Sequence, residues 1–367
     1  MSSDVVLVIV VATALVFDFT NGFHDTANAI ATSVSTRAMS PRSAVLLSAV
    51  LNFAGAFISL KVAATVAQGI VESDAVTTTV VFAGLIGAIA WNLATWYFGL
   101  PSSSSHALIG GLVGAAFAAG GASAIQVDGL VEKVIVPGVV APILAFTVAG
   151  IAILIAYRIV GRLRPGPVNR AYRLGQLVSG SMFSLAHGTN DAQKTMGIIS
   201  LALVAHGNLP ATGFDVPTWV IVSSATAIAL GTYTGGWRII RTVGSRIIKM
   251  DPAQGFSAQG SGAAVVLAAS HLGYPLSTTH VMSGGVMGAG AATRLSAVRW
   301  GVAGNIAVAW MLTLPAAALI GAFAYGLSSI FGAGALGPVV VSLSILGVVL
   351  GFLGRRVSRG QVLTADA

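Results

Sequence analysis

The sequence predicts an all-α polytopic membrane protein made of two inverted-topology repeats, with about 10–12 membrane segments that include broken helices or re-entrant hairpins. Three observations lead to this prediction. Of the 367 residues, 55% are hydrophobic and 8% are charged, whereas soluble domains carry about 25% charged residues. Apolar runs such as 134–157 lack the alternation of a membrane β-barrel. A polar motif at 21–32 also returns in altered form at 187–197.

The first predicted repeat covers residues 1–160 and begins with the apolar segment 5–36. As one straight helix this segment would be about 48 Å long, against a hydrocarbon core of about 30 Å. We therefore expect it to tilt strongly or to break at Asn21-Gly22. A span at 44–69 follows, then a hairpin with the polar turn 99–106, and then a span at 134–157.

The second predicted repeat, 174–330, has the same plan and follows a basic linker at 161–173. Its first segment, 174–205, is again too long for one crossing and is interrupted by a polar motif. A span near 216 leads to a second hairpin, whose polar turn is 273–280. A span at 300–327 ends the repeat, and residues 331–367 supply a last membrane helix and a tail.

The charged residues lie in short loops at the ends of the apolar segments, where they report membrane orientation rather than nucleic-acid binding. With Arg37 and Arg42 in the cytoplasm, all but three of the 19 lysines and arginines are cytoplasmic. This predicts a multi-pass protein of the inner (plasma) membrane with cytoplasmic basic loops and C-terminus. No Lys or Arg precedes the first apolar run, so we expect that run to be kept as a helix.

The same orientation inverts the two repeats. The first polar turn lies in a hairpin between two outer loops, and the second lies in a hairpin between two inner basic clusters. Inverted repeats are common in secondary transporters, whose binding sites lie near the bilayer midplane at the repeat interface. We therefore expect the polar motifs of both halves to meet there.

Asp25 and Asp191, 166 positions apart, are the strongest site candidates. A carboxylate at the bilayer centre costs about 2.5–3.5 kcal/mol on insertion scales, so it is usually paired, hydrated or functional. Asn28 and Lys194 each follow three residues later and share a helical face with the carboxylate. Lys194 either neutralises Asp191 or contacts an anion directly.

The two polar turns are interpreted as breaks between half-helices. Pro101 and Pro275 each end the helix that precedes them. The hydroxyl side chains after each proline are suited to cap the helix that follows. Exposed N–H groups at such a helix start bind anions. The hydroxyl residues in question are Ser103, Ser104 and Ser105 in the first turn and Ser277, Thr278 and Thr279 in the second.

Four histidines lie within the motifs. His106 and His280 are interpreted as buried structural histidines, whereas His24, beside Asp25, is placed to titrate near neutral pH. A metal site is conceivable, since imidazole suits transition metals, and it stays open. Asp18 is one more acidic residue in the first segment, and its surroundings also stay open.

At these residues the chain resembles the inorganic phosphate transporter (PiT) family. The family's Gly-(Ala/Phe)-(Asn/His)-Asp-x-x-Asn motif is similar to 22–28 and, more loosely, to 188–194, and its Pro-x-Ser-Thr-Thr-His motif to 275–280 and 101–106. The resemblance implies an inverted-repeat fold around a central phosphate, homodimers and cation-coupled uptake. The phosphate-binding residues expected from motif position and chemistry are Asp25, Asn28, Ser104, Ser105, Asp191, Lys194, Thr278 and Thr279. Those expected at the coupling cation are His24, Asp25, Asn21, Asn190 and Asp191.

Two residues depart from the sodium-coupled pattern of that family. At the motif position just before the aspartate, that pattern has asparagine. This chain has His24 there in the first motif and Asn190 in the second, and Lys194 replaces the last asparagine of the second motif. Both changes resemble bacterial members regarded as proton-coupled, so a proton is favoured over sodium. A phosphate between two carboxylates needs a cation because low dielectric strengthens their repulsion. A proton on His24 or Asp25, a sodium ion, or a metal carried together with phosphate would each supply the positive charge. No cofactor beyond the coupling cation is expected.

Four other functions would account for part of the sequence pattern. A sodium-coupled phosphate symporter, or a permease for sulfate or another oxyanion, would use the same architecture. An intramembrane hydrolase would need an orienting carboxylate near Ser105 and His106, and none is obvious in the sequence. We therefore do not expect an enzyme. A passive channel would not need a charged, enclosed site.

Overall fold

The fold is a bundle of helices, seen in a computed structural model that describes residues 3–72, 76–210, 213, 215–332, 334, 336–345 and 347. In the first half the helices are α1 (Ser3–Ser35), α2 (Pro41–Gly55), α3 (Lys61–Gln68), α4 (Thr78–Phe98), α5 (Ser104–Gly120), α6 (Val127–Leu130) and α7 (Val136–Val160), with a π-helical turn between α6 and α7. In the second they are α8 (Pro165–His206), α9 (Thr218–Thr234), α10 (Trp237–Arg241), α11 (Pro252–Leu272), α12 (Thr278–Thr293), α13 (Trp300–Ser329) and α14 (Leu336–Ile345). The predicted last span, 339–353, lies partly outside the described residues.

Both long segments that carry the polar motifs are unbroken helices. The predicted break at Asn21-Gly22 is wrong, because α1 runs through it for 33 residues, and α8 likewise continues through its motif for 42 residues. Glycine here serves close packing instead: a Cβ atom on Gly22 would lie 2.4 Å from the carbonyl oxygen of Ile228, and one on Gly188 would lie 2.2 Å from that of Asn52. An unbroken helix also satisfies its own backbone groups in a membrane.

The predicted second span, 44–69, is divided into two helices, α2 and α3. The chain turns at residues 56–60, where the Ser59 hydroxyl accepts a hydrogen bond of 3.3 Å from the backbone N–H of Lys61. Neighbouring apolar side chains at this turn, Phe57 and Ile58, are exposed. One continuous span was expected because an apolar run alone does not reveal such a turn.

Each polar turn joins two helices in a hairpin, α4 with α5 and α11 with α12. The first helix of each hairpin ends at a left-handed glycine, Gly99 with φ 65° and Gly273 with φ 84°, a conformation that glycine adopts without steric cost. The second begins at a capping serine: Ser103 accepts from the backbone N–H of His106 at 3.0 Å, and Ser277 from that of His280 at 3.2 Å. The remaining hydroxyls lie in the first turn.

The two halves exchange packing partners. Helix α7 contacts α12, where a Cβ on Gly288 would lie 2.0 Å from the carbonyl oxygen of Phe146. Helix α13 contacts α5 in the same way, where a Cβ on Gly114 would lie 2.0 Å from the carbonyl oxygen of Ala318. Helix α9 packs on α1 and α2 on α8, and α1 and α8 pack against each other. The motif-bearing helices therefore lie where the halves meet.

The helices have the character of membrane segments. Within the described part of the chain, four helical segments are long and apolar enough to cross a bilayer: Ser3–Ser35, Thr78–Phe98, Val127–Val160 and Trp300–Ser329. Large apolar side chains are exposed on them, including Val8, Ile159 and Leu319, as expected of helices that face lipid. The structure agrees with the predicted all-α membrane class, while the number of crossings and their orientation stay predictions.

Candidate functional site

The motifs of α1 and α8 meet in the interior. Side-chain ligand atoms of Asp25, His187 and Asp191 all lie within 4.8 Å of one another, and the three residues are buried. The repetition of the polar motif predicted that the two carboxylates would share one site, and they are close neighbours in the structure. Two carboxylates this close in an apolar interior repel strongly, so their other contacts decide what the site binds.

Asp25 is held by donors from three helices. Its Oδ1 lies 2.7 Å from His24 Nδ1 and accepts from the Thr279 hydroxyl at 3.2 Å. Its Oδ2 accepts from the Ser104 hydroxyl. Ser104 starts helix α5 and Thr279 lies in the first turn of α12, so both polar turns contact the first carboxylate.

Asp191 has a matching but more basic environment. Lys194, one turn further along α8, contacts Oδ1, and the Thr278 hydroxyl donates to Oδ2 at 3.2 Å. His187 Nε2 lies 3.0 Å from Oδ2. His187 was not among the predicted site residues, although its spacing of four from Asp191 on a helix was the signal for it.

Asn28 and Lys194, at equivalent places in the two motifs, each reach the polar turn of the opposite half. The Asn28 amide donates to the Thr279 hydroxyl at 2.8 Å and to that of Thr278 at 3.4 Å. The Lys194 ammonium donates to the Ser105 hydroxyl and, at 2.8 Å, to the carbonyl of Leu276. Lys194 thus neutralises Asp191 and also ties α8 to both turns.

His24 and Asn190, also equivalent by motif position, each contact the first helix of a hairpin. His24 Nε2 lies 3.1 Å from the Thr95 hydroxyl. The Asn190 amide donates to the Ser270 hydroxyl at 2.8 Å and to the carbonyl of Tyr274 at 3.1 Å. Thr95 and Ser270 belong to α4 and α11, and no sequence motif singled them out.

Asn21 is buried on α1, and within the described part of the chain its amide atoms have no hydrogen-bond partner. His106 and His280 lie apart from the carboxylates, with ring centroids 4.8 Å from each other, and His280 packs on Trp310 at 4.1 Å. They line a largely apolar cavity of about 600 Å³ between α7 and α13.

The arrangement suits an oxyanion better than a bare metal ion. The first turns of α5 and α12 reach it, so the positive ends of two helices and their N–H groups face its centre. Hydroxyls of Ser104, Ser105, Thr278 and Thr279 and the Lys194 ammonium add donors. Two carboxylates and one imidazole also form a ligand set that a transition ion accepts. However, Lys194 and Thr278 already engage both oxygens of Asp191.

Comparisons with known proteins agree with this geometry. The model of the Phosphate transporter family matches residues 21–167 and 162–321. A probable low-affinity inorganic phosphate transporter of Mycobacterium bovis is 55% identical over 326 residues, covering 89% of this chain and 78% of the relative. One of the same description from Bacillus subtilis is 47% identical, covering 88% of this chain and 96% of the relative.

A solved structure, a sodium-dependent phosphate transporter, superposes with a TM-score of 0.80 at 25% identity and covers 89% of this chain and 99% of its own. These findings confirm the resemblance stated from the motifs, the helical membrane fold and a transport protein rather than an enzyme. Two matches of the same family model, one in each half of the chain, together cover residues 21–321. The chain belongs to the phosphate transporter family.

Proposed function

We propose that the protein is a secondary active transporter that imports inorganic phosphate by cation symport, with alternating access around the site between α1 and α8. The observation that carries the proposal is the meeting of Asp25, Asp191 and Lys194 beneath the first turns of α5 and α12. Every contacting side chain there is buried, so substrate enters only when helices move apart. A site of this kind fits alternating access.

Phosphate fits the site better than sulfate because of the carboxylates. A protonated phosphate oxygen donates a hydrogen bond that Asp25 or Asp191 accepts, whereas sulfate at neutral pH has no proton to donate. A site built to accept a hydrogen bond from its substrate strongly rejects an analogue that lacks that hydrogen, because the buried acceptors of the site then stay unpaired. The names of the relatives from Mycobacterium bovis and Bacillus subtilis support the same substrate.

The proposed coupling ion is a proton. His24 lies 2.7 Å from Asp25, so one proton shared by this pair would offset the charge of an entering phosphate. Lys194 already supplies a fixed positive charge beside Asp191. Sodium is the second candidate, since the similar solved structure is described as sodium-dependent.

The membrane arrangement is part of the proposal. We place the chain in the inner membrane with its basic loops inside, with inverted repeats and as a homodimer. The exchange of α7 and α13 between the hairpins of opposite halves supports the repeats. The positions of the arginines support the orientation.

The test is uptake of radiolabelled phosphate into proteoliposomes under an imposed pH gradient or sodium gradient. We expect the pH gradient alone, acidic outside, to drive accumulation, and excess sulfate to leave it unchanged. Uptake that requires sodium and ignores the pH gradient would refute proton coupling, and full competition by sulfate would refute the substrate.

A further inference from the structure

One buried carboxylate takes no part in the site described above. Asp18, on α1, has an exposed fraction of 0%. Among the residues that the structure describes, neither of its oxygens meets a hydrogen-bond donor in normal geometry. An ionised carboxylate in such a place is very costly and in practice takes up a proton or a cation.

Two polar side chains lie beside Asp18. Thr195 of α8 and Asn21, one turn further along α1, face the carboxylate and act on it as hydrogen-bond partners. Both are buried, and within the described residues the Thr195 hydroxyl and the Asn21 amide atoms make no hydrogen bond of standard length and angle to any group. A carboxyl O–H on Asp18 would have two acceptors within its reach, a hydroxyl oxygen and an amide oxygen.

Asp18 is close enough to the substrate site to respond to it. Asp18, Asn21 and Asp25 are spaced by three and four residues on one helical face, so Asp18 lies about 10 Å from Asp25 along the axis. The charges of Asp191 and Lys194 on α8 act on it. In the predicted orientation, where Arg37 marks the inner end of α1, Asp18 lies on the outer side of the site.

The other helices packed on α1 add little charge near this residue. Helices α4 and α9 carry no Asp, Glu, Lys, Arg or His. The basic and imidazole side chains of the remaining neighbours are not among the groups that act on Asp18: Arg42, His106, Arg238, Arg241, Arg246, His271 and His280. The charged groups that act on Asp18 are Asp191 and Lys194, and the polar ones are Thr195 and Asn21.

Asp18 also breaks the correspondence between the two halves. The residue 166 positions later is Ser184, whose hydroxyl donates to the carbonyl of Gly180 in its own helix. The substrate-site carboxylates occur as a pair, whereas this carboxylate occurs once. Coupling to one proton needs only one proton-binding residue, so a carboxylate without a counterpart fits that role better than a role in the two-fold substrate site.

We propose that Asp18, with Asn21 and Thr195, forms a separate binding site for the transported proton, on the outer side of the phosphate site. The proton neutralises Asp18 while the site is enclosed, and it leaves to water once α1 and α8 open to the cytoplasm. The inference rests on proton-coupled import as proposed above. It assigns the coupled proton to Asp18, which does not touch phosphate, in place of the pair formed by His24 and Asp25.

The test separates net transport from exchange in proteoliposomes. Phosphate exchange between equal concentrations at equal pH needs no net proton movement, whereas uptake driven by a pH gradient does. Asp18→Asn imitates the protonated side chain, so we expect exchange to stay near wild type and pH-driven uptake to fall at least about tenfold. Asp4→Asn, an exposed carboxylate near the start of the same helix, is the matched control and should change neither.

The outcomes separate the two proposals. Wild type that shows no pH-driven uptake refutes proton coupling itself, whatever the variants do. With wild-type coupling intact, an Asp18→Asn protein that keeps pH-driven uptake, or that loses exchange and uptake equally, overturns the role of Asp18. Loss of a sodium-driven uptake would instead assign Asp18 to sodium and also overturns it. Should Asp18→Asn not fold, Asp18→Glu must shift the pH of half-maximal uptake but not exchange, and an unchanged pH profile overturns the proposal.

Discussion

At the scale of single residues, the site is built from pairs whose members differ. Asp25 is bound by the neighbouring imidazole of His24, whereas Asp191 is bound by the ammonium of Lys194. The Ser104 hydroxyl at the start of α5 donates to Asp25, and in α12 the Thr279 hydroxyl donates to Asp25 and the Thr278 hydroxyl to Asp191. One carboxylate thus contacts an imidazole and the other an ammonium. This asymmetry suits an anion that must bind and leave again.

The two carboxylates should be needed for transport. Asp25→Asn or Asp191→Asn removes a charged acceptor for a phosphate O–H, which contributes about 1.5–3 kcal/mol. We expect phosphate uptake to fall by about 10- to 100-fold in either variant. Asp128→Asn, on the exposed helix α6, is the control and should transport normally. Uptake is measured in proteoliposomes at equal protein content, and normal uptake by both site variants would contradict the proposed site.

Lys194 should matter for folding as well as for transport. Lys194→Met leaves Asp191 as a buried charge without its cation, and breaking such a pair costs about 3–5 kcal/mol. We therefore expect a large fall in thermal stability together with loss of uptake.

The same substitution at an exposed lysine, Lys61→Met, supplies the control and should have little effect on either quantity. Thermal unfolding in detergent, followed by circular dichroism, checks the stability. A Lys194→Met protein as stable as wild type would mean that Asp191 is neutral in the folded protein.

At the scale of helices, the sequence located the polar turns more accurately than the long segments. Each turn has proline followed by hydroxyl residues, a local signal that determines where a helix begins. The break expected at Gly22 had no such signal, and this glycine instead lies against the carbonyl of Ile228 on α9. Packing partners of this kind are distant in sequence, so a single chain does not reveal them. The same holds for Thr95, which meets His24 across 71 positions.

The glycines where α7 meets α12 should be intolerant of any side chain. A Cβ on Gly288 would lie 2.0 Å from the Phe146 carbonyl oxygen, a backbone atom that cannot turn away. We expect Gly288→Ala to lower the free energy of unfolding by about 1–3 kcal/mol through overpacking. Gly304→Ala on α13, with open space around it, should be neutral or slightly stabilising because alanine favours helix. Equal melting temperatures for the two variants would contradict the packing described for α7 and α12.

At the scale of the whole molecule, the two-fold pattern of the sequence accounts for where the site lies. Repeated motifs predicted that Asp25 and Asp191 would meet, and α1 and α8 bring them within 4.8 Å of His187. The sequence does not predict that α7 packs on the α11–α12 hairpin and α13 on the α4–α5 hairpin, because the apolar residues of α7 and α13 do not specify which helix they contact. That exchange links each half to the other half's polar turn. The α11–α12 hairpin contacts both carboxylates directly, whereas the α4–α5 hairpin contacts Asp25 directly and Asp191 through Lys194.

Inverted repeats make a test possible at equivalent positions outside the membrane. Ser123 follows α5 and Ser296 follows α12, and both are exposed. If the halves are inverted, these two loops lie on opposite sides of the membrane, with Ser123 outside and Ser296 inside. The chain has no cysteine, so single substitutions give an unambiguous label.

We expect Ser123→Cys to react with a membrane-impermeant thiol reagent in intact cells, and Ser296→Cys to react only in inside-out vesicles. Asn169→Cys, in the basic region that the arginines place in the cytoplasm, should behave like Ser296→Cys and so calibrates the inner face. Labelling of Ser123→Cys and Ser296→Cys from the same side would mean that the repeats are parallel. The two hairpins would then approach the site from one side of the membrane, and a two-sided opening around Asp25 and Asp191 would lose its structural basis.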